Sequence, residues 1–267
     1  MDFRGLFEEV DSEWRATKQK PSRFSFSTSD FNESNKNKYK ATIRAIFYET
    51  WFPGINKKNA RIKPYSINLN NLNQCIKAFK DVDKSQKFNL LFDYTLKGLG
   101  AGEVLLYLII DDSYIGGGSS AAIDLIAPGI QLEIKSGLLT QSDGSYHDFR
   151  FGGTIIDTEI KDALLELGKN TKDGGAYIIN ENTIVNSSLA ITPTRMRKIE
   201  DANKKEFKDI EKRYCEIVSK YLKDTHLVVF DRKTGFVKFL KKGTSMVDGD
   251  IGIYRISGGT IEPRVFF

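Results

Sequence analysis

The chain predicts an α/β fold, and three observations lead there. Apolar residues recur at three-four spacing in several segments, the mark of helices with one buried face. Short runs of β-branched and aromatic residues lie between them, bounded by turn-forming residues, the mark of strands. The middle of the chain then reads helix (99–110), hairpin (121–137), helix (154–167) and, after a long helical stretch, the apolar strand HLVVF at 226–230. Helices and strands in that order pack as layers on a small sheet.

Taken in order, residues 3–17 form a short helix. A polar, basic stretch follows and gives way to a helix at about 40–51. From 15 to 64 there are twelve Lys or Arg against three acids, interleaved with Phe24, Phe26, Phe31, Tyr39, Phe47, Tyr48, Trp51 and Phe52. Such an arm suits a phosphate backbone, or is simply a solvated surface with a few buried aromatics. Helices are expected at 70–80 and 88–96, and at 99–110 (LGAGEVLLYLII), where Glu103 is the only charge. Ser136-Gly137 leads from the hairpin into a polar loop. The helix at 154–167 carries Ile155, Ile156, Ile160, Ala163, Leu164 and Leu167 and stops at Gly168. A short strand is expected at 176–179. The basic run 195–223 follows, with Phe207, Ile210, Tyr214, Ile217 and Tyr221 at helical spacing. After 226–230, a turn at 231–235 leads into a strand at 236–240, and two more strands, 251–256 and 261–267, complete the chain. The division is a basic, mainly helical N-terminal extension (1–87) and an α/β core (88–267) with a helical insertion at about 169–223.

The hairpin AAIDLIAPGIQLEIKSG is the most informative stretch. Pro128-Gly129 is a turn signal between two β-prone flanks. With these two at the centre of the turn, Ala127 pairs with Ile130 and Asp124 falls opposite Glu133. Glu133 and Lys135 share one face, while Ile123, Leu125, Leu132 and Ile134 point the other way. Two carboxylates opposed across a hairpin repel unless something positive lies between them. A divalent metal with Lys135 beside it meets that need; a surface ribbon with a charged outer face is the plainer alternative.

Asp124, the triplet Glu133-Ile134-Lys135 and the upstream helical Glu103 together resemble the PD-(D/E)xK, or restriction-endonuclease-like, nuclease superfamily. The resemblance covers roughly residues 98–168, about a quarter of the chain. Ile123 stands where the family has its proline. Glu-x-Lys by itself is weak, since Glu159-Ile160-Lys161 and Glu206-Phe207-Lys208 also occur, but those lie in helical stretches where residues two apart do not face each other. The resemblance implies a restriction-endonuclease-like core, a small mixed β-sheet flanked by helices, and a Mg2+-dependent endodeoxyribonuclease, with Mn2+ able to substitute. Asp124 and Glu133 would be metal ligands, joined by the backbone carbonyl of Ile134. Lys135 would orient the attacking water or offset charge on the phosphate; its usual pKa of about 10.4 favours that over a general-base role. Glu103 would be an auxiliary acid that takes a second metal or a water ligand, or only a carboxylate facing the helix dipole.

The run Gly116-Gly117-Gly118-Ser119-Ser120 lacks the Gly-Lys-Ser/Thr of a nucleotide-binding P-loop. It is either a connector or, through Ser119 and Ser120, a border of the site open to a nucleic-acid backbone. Arg150 is a further phosphate candidate, as are Lys204, Lys205 and Lys208 on the outer face of the helix at 195–223. His147 and His226 belong to no cluster with zinc-ligand spacing and read as ordinary structural residues.

Composition bounds these readings. A chain of 267 residues with 40% hydrophobic content forms a substantial core. No apolar run approaches the roughly 20 residues of a membrane span, and the acidic N-terminus lacks the form of a secretory signal. Cys75 and Cys215 stand far apart, which argues against a disulfide scaffold and for a reducing cytoplasm. A net charge of +5 is compatible with nucleic acid. The resemblance implies DNA as partner, a homodimer as assembly and a restriction-like, phage-encoded or mobile-element enzyme, cytoplasmic, in a bacterial host if phage-encoded. The competing expectation is a non-catalytic nucleic-acid-binding or assembly protein on the same fold.

Overall fold

The computed structural model describes residues 55, 60–82, 100–116, 123–140, 144–151, 158–173, 176–177, 190–231, 233, 235, 237–240 and 249–266. The helices expected at 3–17, 40–51 and 88–96, and most of the basic arm, lie outside the described residues. Among the described residues there are five α-helices and ten strands, a mixed α/β protein. Eight strands pair with one another, and the pairings with assigned register are antiparallel, not the small mixed sheet expected. Tight turns at 128–129 and 258–259 return the chain antiparallel, whereas the pairing of 145–146 with 265–266 joins distant segments. No helix among the described residues is long and apolar enough to cross a membrane.

The chain divides into two compact units, Met1–Ser136 with Arg232–Val237, and Gly137–Asp231 with Lys238–Phe267. In the first, a 3-10 turn at Pro64–Ser66 precedes α1 (Leu69–Val82). Asn68 caps α1, its Oδ1 accepting the Asn71 N–H at 3.0 Å. Leu72, Cys75, Ile76 and Phe79 are buried on one stripe of α1, as their spacing requires. Helix α2 (Ala101–Ile109) is buried from Val104 onward, which is why its sequence is apolar on every side. It packs on β1 (Tyr114–Ile115) and β2 (Leu125–Ala127). Strand β1 pairs with β2 through Ile115↔Leu125 and Tyr114↔Ile126. The next strand, β3 (Ile130–Thr140), pairs with β2 through Ala127↔Ile130 and Leu125↔Leu132, the register that Pro128-Gly129 predicts.

In the second unit, β3 runs on past Gly137, where a loop was expected, to pair with β4 (Ser145–His147) through Leu138↔His147 and Thr140↔Ser145. Gly137 makes this possible, since a Cβ there would meet the His147 carbonyl oxygen at 2.6 Å. Strand β4 pairs with β10 (Thr260–Phe266), and β10 with β9 (Ile251–Ser257). The β9–β10 register shifts between Glu262 and Pro263, where proline has no N–H to give the ladder. A two-stranded ribbon joins β5 (Lys172–Asp173) to β6 (Ala176–Tyr177), and β7 (His226–Asp231) pairs with β8 (Val237–Leu240).

Helix α3 (Thr158–Lys169) does not stop at Gly168, which is buried within it. The basic run 195–223 is two helices, α4 (Pro193–Ala202) and α5 (Lys204–Leu222), separated by Asn203. Asn203 Nδ2 donates to the Ile199 carbonyl at 2.9 Å and to Thr171 Oγ1 at 2.7 Å, drawing the backbone out of helix. Phe207, Ile210, Tyr214, Val218 and Leu222 form the buried stripe of α5, with Ile217 and Tyr221 on its shoulder. Both α4 and α5 pack on β9. The two other Glu-x-Lys triplets fall on α3 and α5, as their spacing predicts.

Candidate active site

Three elements of the first unit bring Glu103, Asp124, Glu133 and Lys135 together. Glu103 stands in the first turn of α2, where its Oε1 accepts the Gly100 N–H at 3.0 Å. That bond satisfies one of the helix's orphan donors and fixes the side chain at the helix start. Glu103 thus stands at the positive end of the helix dipole, and its carboxylate also feels the charges of the hairpin acids.

Asp124 occupies a bend at the start of β2. Its N–H donates to the Leu132 carbonyl at 2.8 Å, so it leaves the regular ladder that would set it squarely opposite Glu133. Its Oδ2 then accepts the Ile134 N–H at 2.7 Å, standing where a strand carbonyl would otherwise be. A residue in an extended strand sends its N–H and C=O to the same edge, so the Ile134 carbonyl also projects toward Asp124. Gly116 admits this bend: its N–H donates to the Asp124 carbonyl at 2.9 Å, and a Cβ on it would lie 2.4 Å from the Ile123 carbonyl oxygen. The sequence marked Gly116 only as the start of a glycine run.

Glu133 is 2% exposed, which removes the surface-ribbon alternative at this position. Both faces of β3 are buried here, Leu132 and Ile134 on one side and Glu133 on the other. Lys135 forms an ion pair with Glu133 and lies 3.9 Å from Asp124, its ammonium between the two acids. Lys135 and Asp124 retain 20% and 24% side-chain exposure, so the cluster opens to solvent on their side.

The electrostatics follow from this crowding. Burial, then the charge of Asp124, pushes the Glu103 carboxyl up to about 8, against the pull of the Gly100 N–H and Lys135. Burial likewise raises Glu133 to about 7, with Lys135 opposing the shift and Asp124 adding to it. Desolvation and like charge both disfavour ionisation, and one ammonium cannot offset three acids. Among the described residues no group of three or more His, Cys, Asp or Glu is arranged as a ready metal cage; Lys135 takes the central place. The donor chemistry nonetheless fits a hard dication, since Mg2+ needs only one or two carboxylates and keeps several waters. Asp124, Glu133 and the Ile134 carbonyl are the groups able to hold it, with Glu103 behind them.

Ser119 and Ser120 fall outside the described residues. Arg150 belongs to the second unit, where it donates to the Ser257 carbonyl at 3.3 Å and to buried Glu262 at 3.4 Å. Lys204, Lys205 and Lys208 are exposed on α5, also in the second unit. His147 stacks on Tyr254 with ring centres 4.1 Å apart, and His226 on Phe239 at 5.3 Å, the structural roles expected of them. Compared with known proteins, the chain matches no family model, no curated protein and no solved structure.

Proposed function

We propose that this chain is a metal-dependent nuclease of the PD-(D/E)xK type that hydrolyses phosphodiester bonds in DNA, with Mg2+ or Mn2+ as its metal. The observation that carries the reading is the convergence of three acids and a lysine from a helix start, a bend and a strand, with two of the acids held near neutrality by burial and mutual repulsion. Perturbed carboxyls in a solvent-open cluster are a common property of functional sites. In this reading Asp124 and Glu133 hold the metal, which when bound supplies Lewis acidity at the phosphate and a more acidic water. Lys135 offsets negative charge arriving with the phosphate and positions the attacking water. Glu103 takes up the proton balance of the cluster. Cutting both strands of a duplex at once calls for two such sites, and hence a homodimer.

The test is cleavage of supercoiled plasmid, linear duplex and single-stranded DNA with Mg2+, Mn2+ or chelator. The wild type should cut in a metal-dependent way, and Lys135→Ala and Asp124→Asn should each lose about 100-fold or more in rate. No cutting under any condition, with DNA still bound at low salt, would sink the nuclease and favour a non-catalytic nucleic-acid-binding or assembly protein.

A further inference from the structure

We infer, on the metal-site reading just given, that Lys135 exchanges places with the metal: its ammonium holds the position between Asp124 and Glu133 until a dication takes it, then turns outward to the phosphodiester. Metal and nucleic acid therefore bind more tightly together than apart.

The three acids are tied to backbone or packing. Asp124 Oδ2 accepts the Ile134 N–H at 2.7 Å, Glu103 Oε1 accepts the Gly100 N–H at 3.0 Å, and Glu133 is buried on β3. Lys135 reaches the hairpin acids through a long, flexible stem, on the side of the cluster that opens to solvent. Its ammonium can swing outward while its backbone stays in β3, and the carboxylates cannot follow it.

The ammonium cannot simply leave, because withdrawing one partner of a buried ion pair strands the other's charge. Nor can it stay beside a dication held by the same two carboxylates, since like charges repel strongly where water is scarce. One cation or the other therefore occupies the place. Once Asp124 and Glu133 are engaged, the displaced ammonium needs a new anion, and a phosphate arriving at the cluster is a charge-assisted acceptor for it. Each ligand thus removes an obstacle to the other, and linkage makes the effect equal in both directions. The sign separates this role from plain support. A lysine that only positions the acids weakens metal binding when removed, whereas one that competes for their oxygens strengthens it.

Mg2+ titration of the full chain by calorimetry at about pH 9, above the values of Glu103 and Glu133, tests the exchange. Lys135→Met should bind Mg2+ about tenfold or more tightly than the wild type, yet lose cleavage; adding Asp124→Asn should abolish the gain. Dimethyl phosphate, a minimal phosphodiester, should tighten Mg2+ binding to the wild type by about fivefold or more, and to Lys135→Met by less. A readout on the wild type alone guards against a variant that does not fold. Mg2+ should speed acetylation of the Lys135 amine by about fivefold or more, read by mass spectrometry, and dimethyl phosphate should slow it again. Equal or weaker Mg2+ binding by Lys135→Met, equal tightening of both proteins by dimethyl phosphate, or acetylation that Mg2+ leaves unchanged overturns the exchange. A wild type that still cuts DNA then leaves the nuclease standing. Tighter binding by the variant with no cutting by the wild type sustains the exchange and sinks the nuclease. No Mg2+ binding by either protein overturns both.

Discussion

Replacing Glu103 by Gln should make the protein less sensitive to alkaline pH, and the size of the effect follows from its surroundings. The ordinary glutamate value is 4.5, and in the folded chain Glu103 is held at about 8, first by burial and then by Asp124. Between those two values the native state keeps a proton that the unfolded chain has lost. Stability is therefore intact below the unfolded value and falls as pH rises toward the folded one. At about 1.36 kcal/mol per pH unit, the whole displacement is worth roughly 5 kcal/mol, of which about 4 kcal/mol falls between about pH 5 and pH 9. Typical domains have only about 5–15 kcal/mol in total, so the loss is large. Glu133, at about 7, acts in the same direction, and because the two carboxyls feel each other their effects do not simply add. The assay is urea unfolding of wild type and Glu103→Gln across that pH range. Glutamine keeps an oxygen for the Gly100 N–H and cannot ionise, so the variant should overtake the wild type as pH rises. Parallel curves for the two proteins would refute the account. Mg2+ added at alkaline pH should restore wild-type stability by favouring the ionised acids, and should do less for the variant.

Other changes probe the parts that hold the cluster in place. Gly116→Ala must push its new methyl against the Ile123 carbonyl oxygen, 2.4 Å away, and should cost about 1–3 kcal/mol while reducing stabilisation by Mg2+; an unchanged melting temperature would contradict the close approach. Leu105→Ala empties a fully buried position on α2, two residues after Glu103, and should cost about 2–5 kcal/mol by urea unfolding. A loss under about 1 kcal/mol would mean that α2 is not anchored through that side chain.

The amino-acid sequence alone determined what depends on neighbours along the chain. Pro128-Gly129 sets the hairpin register because turn chemistry acts over a few residues, and Ala127 meets Ile130 accordingly. Apolar spacing places α1 and the stripe of α5, since helical periodicity is local too. It also separates the two helical Glu-x-Lys triplets from the one on a strand.

Only the tertiary structure decided the rest. Alternation along β3 marks Glu133 as facing away from Leu132 and Ile134, but cannot say whether that face meets water or protein; burial decides it, and with it the near-neutral carboxyls. The bend at Asp124 depends on Gly116 coming close just past the end of β1, and the run of β3 beyond Gly137 depends on β4. The antiparallel pairing of β4 with β10 joins segments more than a hundred residues apart, with no local signal to announce it. A side chain's direction is set by its immediate backbone, but its dielectric surroundings and charge partners come from residues remote in the chain. For that reason the candidate residues could be read from the sequence, whereas the burial and mutual repulsion that hold two of them near neutrality could not.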